Sequence, residues 1–222
     1  MALFLTTLKK EIFSKKSLFV GAFFLISSYL IGRHSSSVSS LLDGELTNSL
    51  FVLYALLGYL FSSVLFSGLL AGEIESQTMR FLVPYLSRRS IYLFKYLAST
   101  SYFLVLTFVS LIILFITKGT VNIPFYSLLA ILGFYLYIQS LVMLVSVSAG
   151  SERLSNLINL MLSILFPILY TASLLKSWPI LEPFRWLFPY HYLSKTWEII
   201  ILYFLSAVLV FAGQLIFEKR EI

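Results

Sequence analysis

The sequence predicts an all-α integral membrane protein with six transmembrane helices, and three observations carry that reading. Long apolar runs recur six times along the chain. Charge is scarce and gathers between the runs. The lysines and arginines of those gaps divide unequally when successive gaps are assigned to opposite sides of a bilayer. Of 222 residues, 59% are apolar and only 12% charged, with 21 Phe and 14 Tyr. A soluble domain normally carries about a quarter charged residues, and this aromatic content would leave large apolar patches facing water. A soluble globular class is therefore excluded. Only helices and closed barrels satisfy their backbone in hydrocarbon. The runs lack the alternation of barrel strands and reach the ~20 residues that a spanning helix needs.

The elements follow in order. Residues 1–16 mix Leu5, Leu8 and Ile12 with Lys9, Lys10, Lys15 and Lys16, as an amphipathic helix lying in the interface would. The first span covers 17–33. Its basic flank also suits a signal peptide, but no small-x-small cleavage site follows, so a retained helix is expected. The serine-rich stretch Ser35 to Ser40 reads as an outer loop. The second span, 50–72, carries Gly58, Ser62, Gly68 and Gly72, small steps that let backbones approach closely. After a polar segment at 73–97 come spans at 98–117, 124–148 and 156–175. On the fifth, Asn156, Asn159, Ser163 and Pro167 recur at i, i+3, i+7 and i+11 on one face. That stripe reads either as a substrate path or dimer interface, or as hydrogen bonding between helices of one subunit. Residues 176–197 hold Trp178, Trp186 and Trp197 together with Pro179, Pro183, Pro189, Tyr190 and Tyr192. Trp and Tyr prefer the headgroup level, and the prolines break a continuous helix. Short broken helices entering the outer leaflet are expected there, before the last span at 198–217.

Orientation follows from the loops. With both termini and the 73–97 segment inside, Lys9, Lys10, Lys15, Lys16, Arg80, Arg88, Arg89, Lys95, Arg153, Lys219 and Arg220 lie on the inner side. Arg33, Lys118, Lys176, Arg185 and Lys195 lie outside, a division of eleven against five. This satisfies the positive-inside rule. The net charge of +6 is then a consequence of topology, and no nucleic-acid partner is expected. With no internal repeat or linker, residues 1–222 read as one transmembrane domain.

The sequence offers no catalytic chemistry. Cysteine is absent, and His34 and His191 stand far apart with no partner at ligand spacing. There is no dinucleotide fingerprint, no Gly-Lys-Ser/Thr phosphate loop, no His-Glu-x-x-His and no Gly-x-Ser-x-Gly. Among the expected spans, Gln139, Gln214, Asn156 and Asn159 are the notable polar residues, and no paired acids mark an ion path. No catalytic, cofactor-binding or metal residue is expected, and neither an enzyme nor an ion-coupled transporter is the expected function.

The remaining candidate is 73–97. Acids at Glu73 and Glu75 precede bases at Arg80, Arg88, Arg89 and Lys95, and apolar residues recur between them at roughly helical spacing. A short amphipathic helix along the inner surface is predicted. It reads either as a docking surface or as a solvated loop with snorkelling bases. Glu73 and Glu75, Thr78, Arg80, Pro84, Ser87-Arg88 and Lys95 follow a pattern that resembles the cytosolic segment of ABC-2 type permeases, the membrane subunits of ATP-binding-cassette transporters. Two positions depart from it: Gln77 stands where Gly is usual, and one extra residue separates Pro84 from Ser87. The resemblance implies six spans, a basic N-terminal interfacial helix, a cytosolic coupling helix between spans 2 and 3, and partly inserted outer helices before span 6. It implies an exporter subunit in the cytoplasmic membrane that moves an amphipathic or hydrophobic substrate such as a peptide, lipid-like molecule or drug. Cytoplasmic ABC ATPase subunits would bind ATP and Mg and contact Glu73, Glu75, Thr78, Arg80, Arg88 and Arg89. A second permease copy, identical or related, and membrane lipid would be the other partners. The rival readings are a non-transporting membrane sensor or assembly scaffold and, behind these, a membrane-embedded enzyme.

Overall fold

A computed structural model describes residues 6–7, 9, 13–34, 46–119, 125–175, 179–193 and 197–220. Most of the expected interfacial helix at 1–16 and the serine-rich 35–40 stretch lie outside those residues. The described residues contain helices and turns and no strand, and six helices are long and apolar enough to cross a membrane. This is a multi-pass membrane protein.

The first spanning helix, α1, runs Lys15–Arg33 and starts where Ser14 Oγ accepts from Ser17 N at 3.1 Å, satisfying one of the orphan donors of a helix start. The second, α2, covers Leu46–Phe66. The chain then breaks at 67–70 and resumes as the short α3, Ala71–Glu75. Ser146, from a neighbouring helix, accepts from Leu70 N at 3.2 Å and Ala71 N at 3.1 Å. The backbone donors freed by the break are thus satisfied inside the bundle. A 3₁₀ turn follows at Thr78–Phe81, and then α4 at Arg88–Lys118, capped by Ser87. Next come α5 at Phe125–Ser148 and α6 at Glu152–Leu174, whose Ser151 cap accepts from Leu154 N. Two 3₁₀ helices, Pro179–Leu187 and Pro189–Tyr192, precede α7 at Ile199–Lys219.

The sequence reading is corrected at the inner end of the third span. The third span was expected to begin at 98, but residues 88–97 are already the first turns of α4. That helix has 31 residues and is therefore about 46 Å long, well beyond the ~30 Å of the hydrocarbon. The 73–97 segment is not a single element. It is divided into the end of α3, a 3₁₀ turn, a turn at 82–86 and the start of α4.

Successive spans run antiparallel. Phe66, at the end of α2, meets Tyr102 and Phe103 of α4, while Arg220, just past α7, reaches Val147 and Ala149 at the end of α5. One end of the bundle therefore collects the start of α1, the 67–87 stretch, the α5–α6 turn and the end of α7; it is called the basic end below. The opposite end carries the two 3₁₀ helices. The core between them is aromatic. Phe24 stacks on Tyr54 with ring centres 4.2 Å apart, and Phe103 on Tyr135 at 4.7 Å. Buried tyrosines need partners for their hydroxyls: Tyr54 Oη donates to Leu106 O at 3.2 Å and lies 2.6 Å from Ser110 Oγ. The outward faces are apolar, as on α7, where Ile200, Phe204 and Phe211 are exposed. Such faces suit lipid and not water.

Candidate functional site

The basic end gathers most of the polar residues singled out in the sequence. Its centre is an ion pair. Lys95 Nζ donates to Glu73 Oε1 at 2.5 Å. Lys95 is 1% exposed, although it sits on a helix long and apolar enough to cross a membrane. A buried ammonium persists only when paired, and Glu73 supplies the pairing from the far side of the loop. The second oxygen, Glu73 Oε2, is buried without a hydrogen-bond partner.

Glu75 points elsewhere. Its Oε2 accepts from Glu152 N at 2.7 Å, placing a carboxylate at the N-terminus of α6, where backbone donors and the helix dipole favour negative charge. The Glu152 side chain lies over the α2–α3 break. A Cβ at Gly68 would come within 2.8 Å of its Oε1, and one at Gly72 within 2.8 Å of its Oε2. The two glycines are thus needed for close approach, not for unusual backbone angles. Ser67 Oγ donates to Asn156 Oδ1 at 2.5 Å, and Ser155 Oγ donates to Ser67 O at 2.5 Å. The α2–α3 break and the start of α6 are consequently fastened at several points.

Asn159 belongs to the same packing. It is buried, and its Nδ2 donates to Val142 O of α5 at 3.5 Å and Ser155 Oγ at 3.4 Å. Buried Ser163 donates to Leu160 O of its own helix. Of the stripe read from the sequence, Asn156 and Asn159 make contacts between helices of one chain, and Ser163 makes one inside α6. Pro167 is separate from them and lines a cavity at the opposite end.

Arg88 and Arg89 hold the C-terminal end of α7. Arg88 Nη1 donates to Glu218 O at 2.8 Å and Arg220 O at 2.5 Å, satisfying carbonyls that a helix end leaves free. Arg89 forms a two-pronged pair with Glu218, its Nη2 lying 3.1 Å from Oε2. Arg220 in turn donates to the carbonyls of Val147 and Ala149 at the end of α5.

What remains free is the tip. Gln77 takes φ 58°, ψ 11°, the only positive φ of a non-glycine residue among those described. This left-handed conformation favours glycine. Thr78 Oγ1 donates to Glu73 O at 3.2 Å and closes the turn. Beyond it Arg80 is exposed, as are Phe81 at 77% and Tyr85 at 86%. Met79, between Thr78 and Arg80, is fully buried and anchors the tip in a small core with Leu70, Ile91 and Phe217. The tip is thus anchored on one side and leaves two aromatic rings bare on the other.

No protein-family model matches the chain, and no curated protein matches it. Sequence reasoning singled out Glu75, Arg88 and Arg89 but not the partners the fold brings to them, the Glu152 backbone for Glu75 and Glu218 and the Arg220 carbonyl for the arginines. It did not single out Phe81 and Tyr85, which the sequence does not distinguish from the apolar Met79, Leu82, Val83 and Leu86 around them. Among the described residues, no three His, Cys, Asp or Glu side chains come together as metal ligands would.

Proposed function

We propose that this chain is the membrane-spanning permease subunit of an ATP-binding-cassette exporter, with its basic end in the cytoplasm and the 78–85 tip docked on a separate ATPase subunit. The reading rests on the resemblance of 73–97 to the ABC-2 pattern and on the eleven-to-five division of basic residues. The observation that carries it is the division of labour at the basic end. Glu73, Glu75, Arg88 and Arg89 are engaged by the chain's own α4, α6 and α7, while Arg80, Phe81 and Tyr85 project from a rigidly held turn.

Such an arrangement transmits force. A push on the tip moves α3, and α3 grips the start of α6 through Glu75 and through the Glu152 carboxylate over Gly68 and Gly72. At its other end α6 is tied to the 3₁₀ segment, where Arg185 Nε donates to Ser173 O at 3.0 Å. A displacement at the cytoplasmic end therefore reaches the opposite end along one helix. ATP-driven closure of the partner would bias two arrangements of this linkage, as ligand-driven population shifts do. The chain itself hydrolyses nothing in this account, and ATP and Mg belong to the partner. A second permease copy would complete the path for an amphipathic or hydrophobic substrate in the cytoplasmic membrane.

The test is co-purification with the cognate ATPase. Phe81→Ala combined with Tyr85→Ala, and separately Arg80→Glu, are expected to reduce recovered complex by tenfold or more, since buried aromatic anchors and paired charges dominate interfaces. Insertion and melting temperature are expected to be unchanged, because these side chains bury nothing within the chain. Undiminished complex from both variants would show that the tip is not the docking element.

A further inference from the structure

The face that α6 turns toward the bundle is polar. Its buried residues are Ser155, Asn159, Ser163 and, beyond Pro167, Ser173, while Leu157, Leu160, Met161 and Ile164 are exposed. It is also the least buried of the six spans. The side of α2 that it covers matches it. Tyr59 meets Phe166, with ring centres 5.6 Å apart, and Ser67 donates to Asn156. Ser63 stands between these contacts, four residues from each, and so on the same side of α2. Ser63 and Ser163 are both buried, and each donates to a carbonyl of its own helix, Leu60 O and Leu160 O.

Polar faces commonly join membrane helices through hydrogen bonds, but this joint is incompletely made. Gln139 of α5, 1% exposed, accepts from Ser62 Oγ at 2.7 Å, yet its Nε2 is buried without a partner. Asn159 donates through Nδ2 to Val142 O, three residues on from Gln139, yet its buried Oδ1 has no partner either. Such groups are costly while shut away from water. Water entering an opened seam satisfies both, so opening recovers part of what separation costs. An apolar joint offers no such return. The weak point of the helix lies just beyond. Pro167 has no N–H, which leaves Ser163 O without its helical donor and loosens α6 there. Past that point the helix is held: Phe166 and Tyr170 lie against Phe188, with ring centres 5.5 and 6.3 Å away, and Arg185 donates to Ser173 O. A hollow adjoins each end of the seam, one of about 400 Å³ beside Asn156 and one of about 580 Å³ beside Pro167.

We propose that residues 152–163 form a gate: this half of α6 swings away from α2 and α5 about Pro167 and opens the seam lined by Ser63, Gln139, Asn159 and Ser163 to water from the basic end. As the inner entrance of a transport path the gate rests on the transporter reading. As a motion it belongs to this chain alone, and it is tested without a partner.

The experiment uses the purified full chain in phosphatidylcholine nanodiscs. Because the chain has no cysteine, Ser63→Cys and Ser163→Cys each place a single thiol on one wall of the seam. Ser99→Cys is the control. It is fully buried, donates to Tyr96 O of its own helix, and stands as far along α4 from the basic end as Ser163 does along α6. The reagent is a trimethylammonium methanethiosulfonate, which travels only in water. A buried thiol reacts in proportion to how often it opens, and both seam cysteines are expected to react at least about tenfold faster than Ser99→Cys. The two probes sit on opposite walls, so a folding defect in one variant leaves the other to decide. Pro167→Ala restores the helical bond. It should slow both seam cysteines about fivefold, the effect of one net hydrogen bond of about 1 kcal/mol, without lowering the melting temperature. Loss of the ATPase partnership would leave these rates as they are, and a seam that stays shut would leave docking of the tip untouched. Seam cysteines no faster than Ser99→Cys, or rates indifferent to Pro167→Ala, would overturn the proposal.

Discussion

Removing the Lys95 ammonium while leaving Glu73 in place is expected to be among the most damaging single changes at the basic end. The two charges are 2.5 Å apart, and Lys95 is 1% exposed. Coulomb attraction at that separation is about 7 kcal/mol in an effective dielectric of about 20. Not all of it is lost, because the Glu73 side chain is 26% exposed and water recovers part. Stranding one partner of a buried pair typically costs about 3–5 kcal/mol. The lower end of that range applies here. For a chain of this size it corresponds to a drop of roughly 6 °C or more in melting temperature. Lys95→Met preserves the aliphatic stem, so the loss is electrostatic and not a cavity. The double variant Glu73→Gln, Lys95→Met removes both charges and should recover more than half of the drop, because a neutral pair has no stranded ion. Thermal unfolding in detergent by size-exclusion fluorescence reads both, with exposed Lys16→Met as the control. A Lys95→Met chain melting within 1–2 °C of wild type (roughly half a kcal/mol on the same scale), or a double variant no better than the single, would refute the reasoning.

Three further outcomes follow from the geometry. Gln77→Gly should stabilise the chain by about 1 kcal/mol, since a left-handed non-glycine residue is strained by about that much, and Gln77→Val should destabilise it; the same melting assay decides. A Cβ at Gly213 would overlap Tyr92 Oη, and that hydroxyl is buried without a partner. Gly213→Ala is therefore expected to lower the melting temperature by several degrees and Tyr92→Phe to recover part of it, which a double-mutant cycle measures. Because the chain has no cysteine, single cysteines at the exposed Tyr85 and Glu182 report sidedness. In intact cells an impermeant thiol reagent should label Glu182→Cys and spare Tyr85→Cys, and the reverse pattern would invert the proposed orientation.

The six spans were legible because each is a run that only lipid can solvate, a property of the segment by itself. The inner end of α4 was not. Arg88, Arg89 and Lys95 count against a membrane helix in any local reading, yet Lys95 is paired with Glu73, 22 residues earlier, and Arg88 donates to carbonyls about 130 residues later. Local periodicity cannot report partners at that distance. The α2–α3 break likewise depends on Ser146, which only the fold brings to it. The polar stripe on α6 was correctly placed on one face, while the neighbours that face it were visible only in three dimensions. Gln77 hid a glycine-like turn behind an ordinary residue. The cavity at the opposite end had no sequence signal of its own, since its walls come from several separate elements and, of its lining, only Pro167, Tyr190 and Leu193 lay in stretches that invited attention.

The central claim is that the 78–85 tip is held by a partner ATPase, and a site-specific photo-crosslink tests it directly. A benzoylphenylalanine at Phe81, 77% exposed on the tip, is compared with one at Phe204, 67% exposed on the apolar face of α7. On irradiation of native membranes, the account predicts one discrete adduct from the Phe81 probe. Mass spectrometry should identify the captured protein by its own phosphate-binding loop as an ATP-binding-cassette ATPase, and the Phe204 probe should give no such adduct. Capture of lipid alone at Phe81, or of a protein with no nucleotide-binding motif, would contradict it.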